Sequence, residues 1–194
     1  MDGKGLTVVG IDPSLTCTGL AFVNIEDNKL FYSLEAIKIA RPKKKEKGIP
    51  KKYAEVNDLI HRLSTIDILV RTKVFGFSVM YGCRPEYVFI EVPWQYRKKG
   101  GKTNTLSLMR LSLLVGGLIT DISHDTGAWV IGLPSGGGIP KKEAGFDFLK
   151  SVGFNFTPNR GYDTSDALVV AIFGGWYFLS NFPRDIAPLT KVKL

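Results

Sequence analysis

Two acidic residues in this chain end apolar runs of the same design. Thr7-Val8-Val9-Gly10-Ile11-Asp12-Pro13 and Glu86-Tyr87-Val88-Phe89-Ile90-Glu91-Val92-Pro93 each place a carboxylate at the carboxyl end of a β-branched or aromatic run, with a proline behind it. Such runs read as buried strands, and proline stops the ladder because it lacks an N–H. An acid on the edge of a core is costly unless a cation or a polar network neutralises it. A second pair, Asp163 and Asp166, opens the apolar run that begins at Ala167. Three residues apart, both project from one side of a first helical turn. That pair also reads locally as an aspartate N-cap with an acid at N3, a capping-box arrangement favoured by the helix dipole. If the strands ending at Asp12 and Glu91 are neighbours, and the Asp163 turn lies beside them, four carboxylates converge. Divalent hard cations would neutralise such a group, and oxygen-only ligands favour Mg²⁺, with Mn²⁺ as a substitute, over zinc. Two ions about 3.5–4 Å apart clamp the attacking and leaving oxygens of an in-line phosphoryl displacement.

The charge balance indicates the substrate. The 194 residues carry 26 Lys and Arg against 18 Asp and Glu, a net charge of +8, which favours a polyanionic partner such as nucleic acid or an anionic membrane surface. Much of the basic charge is clustered. Arg41 to Lys52, with Lys43, Lys44 and Lys45, is bounded by prolines and reads as a loop, either a solvated linker or a DNA-contacting segment. Trp94-Gln95-Tyr96-Arg97-Lys98-Lys99-Gly100-Gly101-Lys102 follows the second acidic strand directly. There Trp94 and Tyr96 could stack on bases while Arg97, Lys98, Lys99 and Lys102 pair with phosphates. Lys141 and Lys142 close a third cluster, behind the glycine-rich stretch Ser135–Gly138. That loop lacks the spacing of a nucleotide-binding P-loop and suits a mobile DNA-contacting loop better.

The remaining pattern says what must position these residues. Thr18–Ile25 and Lys29–Ala40 follow the first strand at short intervals, as a three-stranded antiparallel meander. Val56, Leu59, Ile60, Leu63 and Ile66 have helical spacing within Tyr53–Arg71, and Val74–Cys83 either continues that helix or turns. His61 there reads as an ordinary helix residue. Thr103 or Asn104 can cap the next helix, which runs to about His124. Its apolar positions, Leu106, Leu108, Met109, Leu111, Leu113, Leu114, Val115, Leu118, Ile119 and Ile122, are too many for one face. A helix apolar on two sides is fully buried or shared with a second subunit, and the Asn104–His124 helix is therefore expected to form a homodimer. A fifth strand at Ala128–Leu133 and a short helix at Lys142–Val152 lead to the Asp163 helix. The expected fold is α/β, a five-stranded mixed sheet of three antiparallel strands followed by parallel ones, flanked by helices. Residues 1–182 are expected to form one domain and 183–194 a loosely ordered tail.

The two cysteines, Cys17 and Cys83, make neither a metal-ligand spacing nor a disulfide framework, which suits a reducing interior. There is no charged-then-apolar leader or lipidation motif, so a cytoplasmic location is expected. The uncharged runs Leu111–Thr120 and Ala167–Phe182 are short for a membrane span and read as buried core, with no membrane partner expected. An actin-like or sugar-kinase-like ATPase also places an aspartate at a strand end, but needs two such lobes, and this chain has one.

Taken together, three segments carry a resemblance. Gly10-Ile11-Asp12-Pro13-Ser14 with Thr18-Gly19, Ile90-Glu91-Val92-Pro93-Trp94, and Asp163-Thr164-Ser165-Asp166-Ala167-Leu168 resemble the acidic motifs of RuvC-type Holliday junction resolvases, within the ribonuclease-H-like superfamily. The resemblance spans about residues 6 to 180. It implies a homodimeric nuclease that cuts two opposed strands of four-way or branched DNA, leaving 5′-phosphate and 3′-hydroxyl ends. It also implies that Asp12, Glu91, Asp163 and Asp166 are catalytic and hold two Mg²⁺ ions per active site. Trp94 would stack at the opened crossover, and Lys142 or Lys141 corresponds to a lysine near the scissile phosphate. The basic Arg41–Lys52 stretch resembles phage-encoded members, which would place the protein in a host cytoplasm. Alternatives on the same fold are a nuclease for other branched DNA or RNA–DNA hybrid, and a junction-binding protein that does not cut.

Overall fold

In the computed structural model of the chain, the residues described are 5–40, 50–93, 105–135, 138–156 and 162–194. The elements are β1 (Leu6–Asp12), β2 (Cys17–Glu26), β3 (Lys29–Lys38), α1 (Lys51–Tyr81), β4 (Tyr87–Val92), α2 (Thr105–Thr126), β5 (Trp129–Pro134), α3 (Glu143–Ser151), α4 (Asp163–Phe178) and β6 (Thr190–Lys193). The strands form one sheet in the order β5-β4-β1-β2-β3-β6. β1, β2 and β3 are the expected antiparallel meander. β4 runs parallel to β1, and β5 parallel to β4.

The alternation of side chains along β1 and β4 decides which acids can meet. Val9 and Ile11 point to one face of the sheet with Val88 and Ile90, packing under Ile66, Val70 and Val74 of α1 and Leu114, Leu118 and Ile122 of α2. Val8 and Phe89 point to the other face, against Ala167, Leu168 and Ala171 of α4. Asp12 and Glu91 fall on that second, α4 face by the same period of two. The β1–β4 register pairs Ile11 with Ile90, so the two acids are the next residues along adjacent parallel strands.

Two elements differ from expectation, and one open reading is resolved. The sheet has six strands, not five. The extra one comes from the segment expected to be a loose tail, where β6 pairs parallel with β3 and Ile186 is buried in the α4-side core. Its four residues, Thr-Lys-Val-Lys, carry little strand signal of their own, and an edge position flanked by lysines is decided by the neighbour it joins. The Val74–Cys83 ambiguity resolves as helix. α1 continues to Tyr81 because Val74 and Phe77 extend the buried stripe of Ile66 and Val70, and Gly82 ends it at φ 65°. The Leu111–Thr120 run is core on one side only. Leu114, Val115 and Leu118 are buried, while Leu113 is 62% exposed. By length and composition α2 is apolar enough to cross a membrane, and one side of it packs into the sheet core.

Candidate active site

The carboxyl ends of β1 and β4 meet the amino end of α4 at one corner of the molecule. Two glycines allow this. A Cβ at Gly10 would fall 2.1 Å from the carbonyl oxygen of Ala167, and one at Gly19 would fall 1.9 Å from that of Asp163. The backbone of α4 thus lies directly on β1 and β2, and its first turn is brought down to the level of Asp12. A tight turn follows Asp12. The Thr18 hydroxyl donates to the Ser14 carbonyl (2.9 Å), and the Ser14 N–H donates back to Thr18 Oγ1 (3.2 Å). The Ile39 N–H adds a bond from β3's end to the Thr16 carbonyl (3.1 Å), so the turn after Asp12 is held from both sides.

Lys141, on the loop before α3, reaches this corner. Its Nζ donates to Asp12 Oδ1 at 3.1 Å and to Glu91 Oε2. Burial alone would lower the Lys141 pKa, but the Asp12 and Glu91 carboxylates outweigh it and hold the ammonium charged. Glu91 is pushed up from 4.5 to about 8 by burial and by the adjacent Asp12, with Lys141 opposing. The next residue, Lys142, is exposed and contributes its backbone. Its N–H donates to Asp166 Oδ1 at 2.8 Å, and it holds this position at φ 56°, ψ −127°, a region uncommon for a residue with a Cβ.

Asp166 is buried and raised in pKa, first by burial and then by Asp12, against the relief given by the Lys142 N–H. Its carboxylate faces the α3 loop. The α4 N-cap is Tyr162, with no side-chain capping bond, so the local capping explanation of the Asp163/Asp166 pair is not what the structure contains. Asp163 is the first helical residue and accepts a hydrogen bond from the Cys17 thiol. That thiol is pushed up to about 11, by burial first and Asp163 second.

Asp12, Glu91 and Asp166 are therefore brought into one electrostatic cluster, with Asp163 at its rim. Of the two lysines, Lys141 places its ammonium among the acids and Lys142 does not. Among the described residues, no three acid, histidine or cysteine side chains stand close enough together to hold a metal ion as they are. Trp94, Tyr96, Arg97, Lys98, Lys99 and Lys102 lie outside the described residues, as do Lys43, Lys44 and Lys45. Sequence reasoning missed the roles of Gly10, Gly19 and Cys17. Glycine within a β-branched run, two residues before the acid, was an available signal of close backbone approach.

The raised carboxylates carry a stability consequence. Glu91 folds with a higher pKa than it has unfolded, so between about pH 4.5 and 8 the native state binds more protons than the unfolded state. Stability from this group is full below that window and is lost as pH rises through it. The metal-free protein should melt at a lower temperature near pH 8 than this group would allow near pH 5, and Glu91→Gln should flatten the slope. Thermal unfolding of both proteins across the window reads this directly. An unchanged slope in the variant would show that Glu91 is not the group responsible.

No family model matches the chain, and no curated protein matches it. Solved structures do. RuvC from Thermus thermophilus in complex with a Holliday junction substrate superposes with a TM-score of 0.56 at 19% identity, covering 89% of this chain and 94% of that one. A second Thermus thermophilus RuvC structure gives 0.55 at 20% identity, with 89% and 95% covered. The yeast mitochondrial Holliday junction resolvase Ydc2 gives 0.45 at 12% identity, with 87% and 77% covered. TM-scores above 0.5 over 89% of the chain show that it shares the fold of RuvC.

Proposed function

We propose that the protein is a metal-dependent endonuclease that resolves four-way junction DNA by paired nicks in opposed strands. The observation that carries this reading is the cluster at the α4 amino end, where buried Glu91 and Asp166 meet Asp12 with one ammonium between them. Among the described residues, four acids, counting Asp163, face one lysine, an excess of acid that a divalent hard cation would neutralise. The donor set is all oxygen, which fits Mg²⁺ or Mn²⁺. Asp12, Glu91, Asp163 and Asp166 would hold the metal, and a bound pair of ions would supply a clamp on the two reacting oxygens of the phosphodiester. Phosphate contacts from the basic segments, on a chain of net charge +8, would place the backbone at the cluster. Among the described residues, Lys141 is the lysine whose ammonium lies against Asp12 and Glu91. The Lys142 amide fixes Asp166, so the Lys141-Lys142 pair contributes a charge and a positioning bond side by side.

The direct test compares a four-way junction, a flap, an RNA–DNA hybrid and linear duplex, each with and without Mg²⁺, on a denaturing gel. Symmetric Mg²⁺-dependent nicks in the junction are expected. Preferential cutting of flap or hybrid would replace the substrate assignment, and junction binding with no cutting would replace the enzyme by a binding protein.

Paired nicks need two active sites, and α2 offers the surface for a homodimer. Leu106, Met109 and Leu113 are 54%, 59% and 62% exposed along one stripe, and Gly116 and Gly117 beyond them have open space around them. Met109→Glu with Leu113→Glu would bury unpaired carboxylates in that interface, weakening it by on the order of 3 kcal/mol or more. A dimer-to-monomer change by light scattering is expected, with single nicks replacing paired ones. A parent protein that is already monomeric at micromolar concentration would sink the dimer.

A further inference from the structure

Asp12 and Glu91 already have a cation between them. The Lys141 ammonium lies 3.1 Å from Asp12 Oδ1 and against Glu91 Oε2, and the two carboxylate side chains are only 13% and 9% exposed. Among the described residues no other cationic side chain pairs with either. The lysine arrives from outside the two strands, on the loop that ends at Lys142, whose backbone is in a sparsely populated conformation. With the ammonium in place, no three acids are grouped as metal ligands.

We propose that Lys141 is a built-in counter-ion that occupies the place of a divalent metal in the DNA-free protein, and that metal binding displaces it. The inference rests on the metal-centre reading above and adds a competition to it. Without a cation, two adjacent buried carboxylates would repel each other and could not both stay charged at low cost. The ammonium keeps them together at a single positive charge. A divalent ion brings twice that charge and accepts more oxygen ligands, so it can draw in the acids that Lys141 leaves apart. The cost is that every metal-binding event must first break the lysine's two charged hydrogen bonds, which lowers apparent metal affinity.

Two measurements test this, both on the DNA-free protein and neither dependent on cleavage. Mn²⁺ binding by calorimetry should tighten about tenfold or more in Lys141→Met, because the competing hydrogen bonds to charged groups are gone. The same variant should melt lower than the parent without metal and gain more from Mn²⁺. In the unmodified protein, Mn²⁺ should increase acylation of the Lys141 amine by an amine-reactive reagent, read by peptide mass spectrometry, because a displaced lysine is released from both carboxylates. This second measurement stands even if the variant fails to fold. Mn²⁺ binding of equal strength in parent and variant, or Lys141 labelling that is unchanged or falls, overturns the inference alone. Failure of both proteins to take up Mn²⁺ overturns the metal centre and the inference with it.

Discussion

Asp12→Asn is expected to abolish strand cleavage, by about a thousandfold or more, while junction binding stays within about twofold of the parent. Asparagine keeps the size and one carbonyl acceptor of aspartate, so the strand end and the Pro13 turn need not move. What it removes is the negative charge that Lys141 contacts at 3.1 Å and that a divalent ion would need. Loss of a metal-holding charge forfeits several kcal/mol of transition-state stabilisation, which is the source of the expected factor. Affinity for DNA is carried by phosphate contacts from cationic segments, and the substitution makes the chain one charge more positive. Cleavage rates and junction affinities of the two proteins, measured at the same salt, check both halves. A variant that cuts within tenfold of the parent would remove Asp12 from the reaction. A variant that neither binds nor cuts would place Asp12 in DNA docking instead.

The second large effect is expected from a residue with no reactive group. Gly10→Ala should destabilise the protein by about 3 kcal/mol or more, at the upper end of what overpacking costs. The added Cβ would meet the Ala167 carbonyl oxygen at 2.1 Å and the Ala171 backbone nitrogen at 2.7 Å. Both are backbone atoms of a helix buried from Thr164 to Ile172, so no side chain can swing aside. For a domain of this size about 2–4 °C is lost per kcal/mol, so a fall of about 10 °C in melting temperature is expected. The effect should also reach the chemistry, because α4 can relieve the clash only by lifting Asp163 and Asp166 away from Asp12. Thermal unfolding and junction cleavage should therefore both fall. A stable variant with full activity would mean that α4 does not sit on β1 as described.

The strand-end acids were visible because apolar run, carboxylate and proline are all local signals. The Asp163/Asp166 pair was visible too, but taken alone its local reading as a capping box outweighed a site. The structure decided against capping, since the N-cap is Tyr162 and the Lys142 backbone N–H takes the Asp166 carboxylate for another loop. The two lysines were indistinguishable in sequence. Which one sends its ammonium into the cluster depends on the turn of a single residue at the start of α3, and a conformation at φ 56° is not signalled by a lysine. The sixth strand escaped because four residues on a sheet edge have too little pattern to declare themselves.

From its own amino acids the chain determined the strand runs, the helix periods, the basic balance and the types of the four acids. These depend on neighbours within a few residues, where side-chain period and backbone propensity act. Tertiary structure alone decided that β4 lies beside β1, that the α4 backbone seats on Gly10 and Gly19, and that Lys141 fills the gap between two carboxylates. Those are contacts between segments as far as 129 residues apart. They are settled by shared burial and charge neutralisation across the whole fold, which no local window of sequence contains.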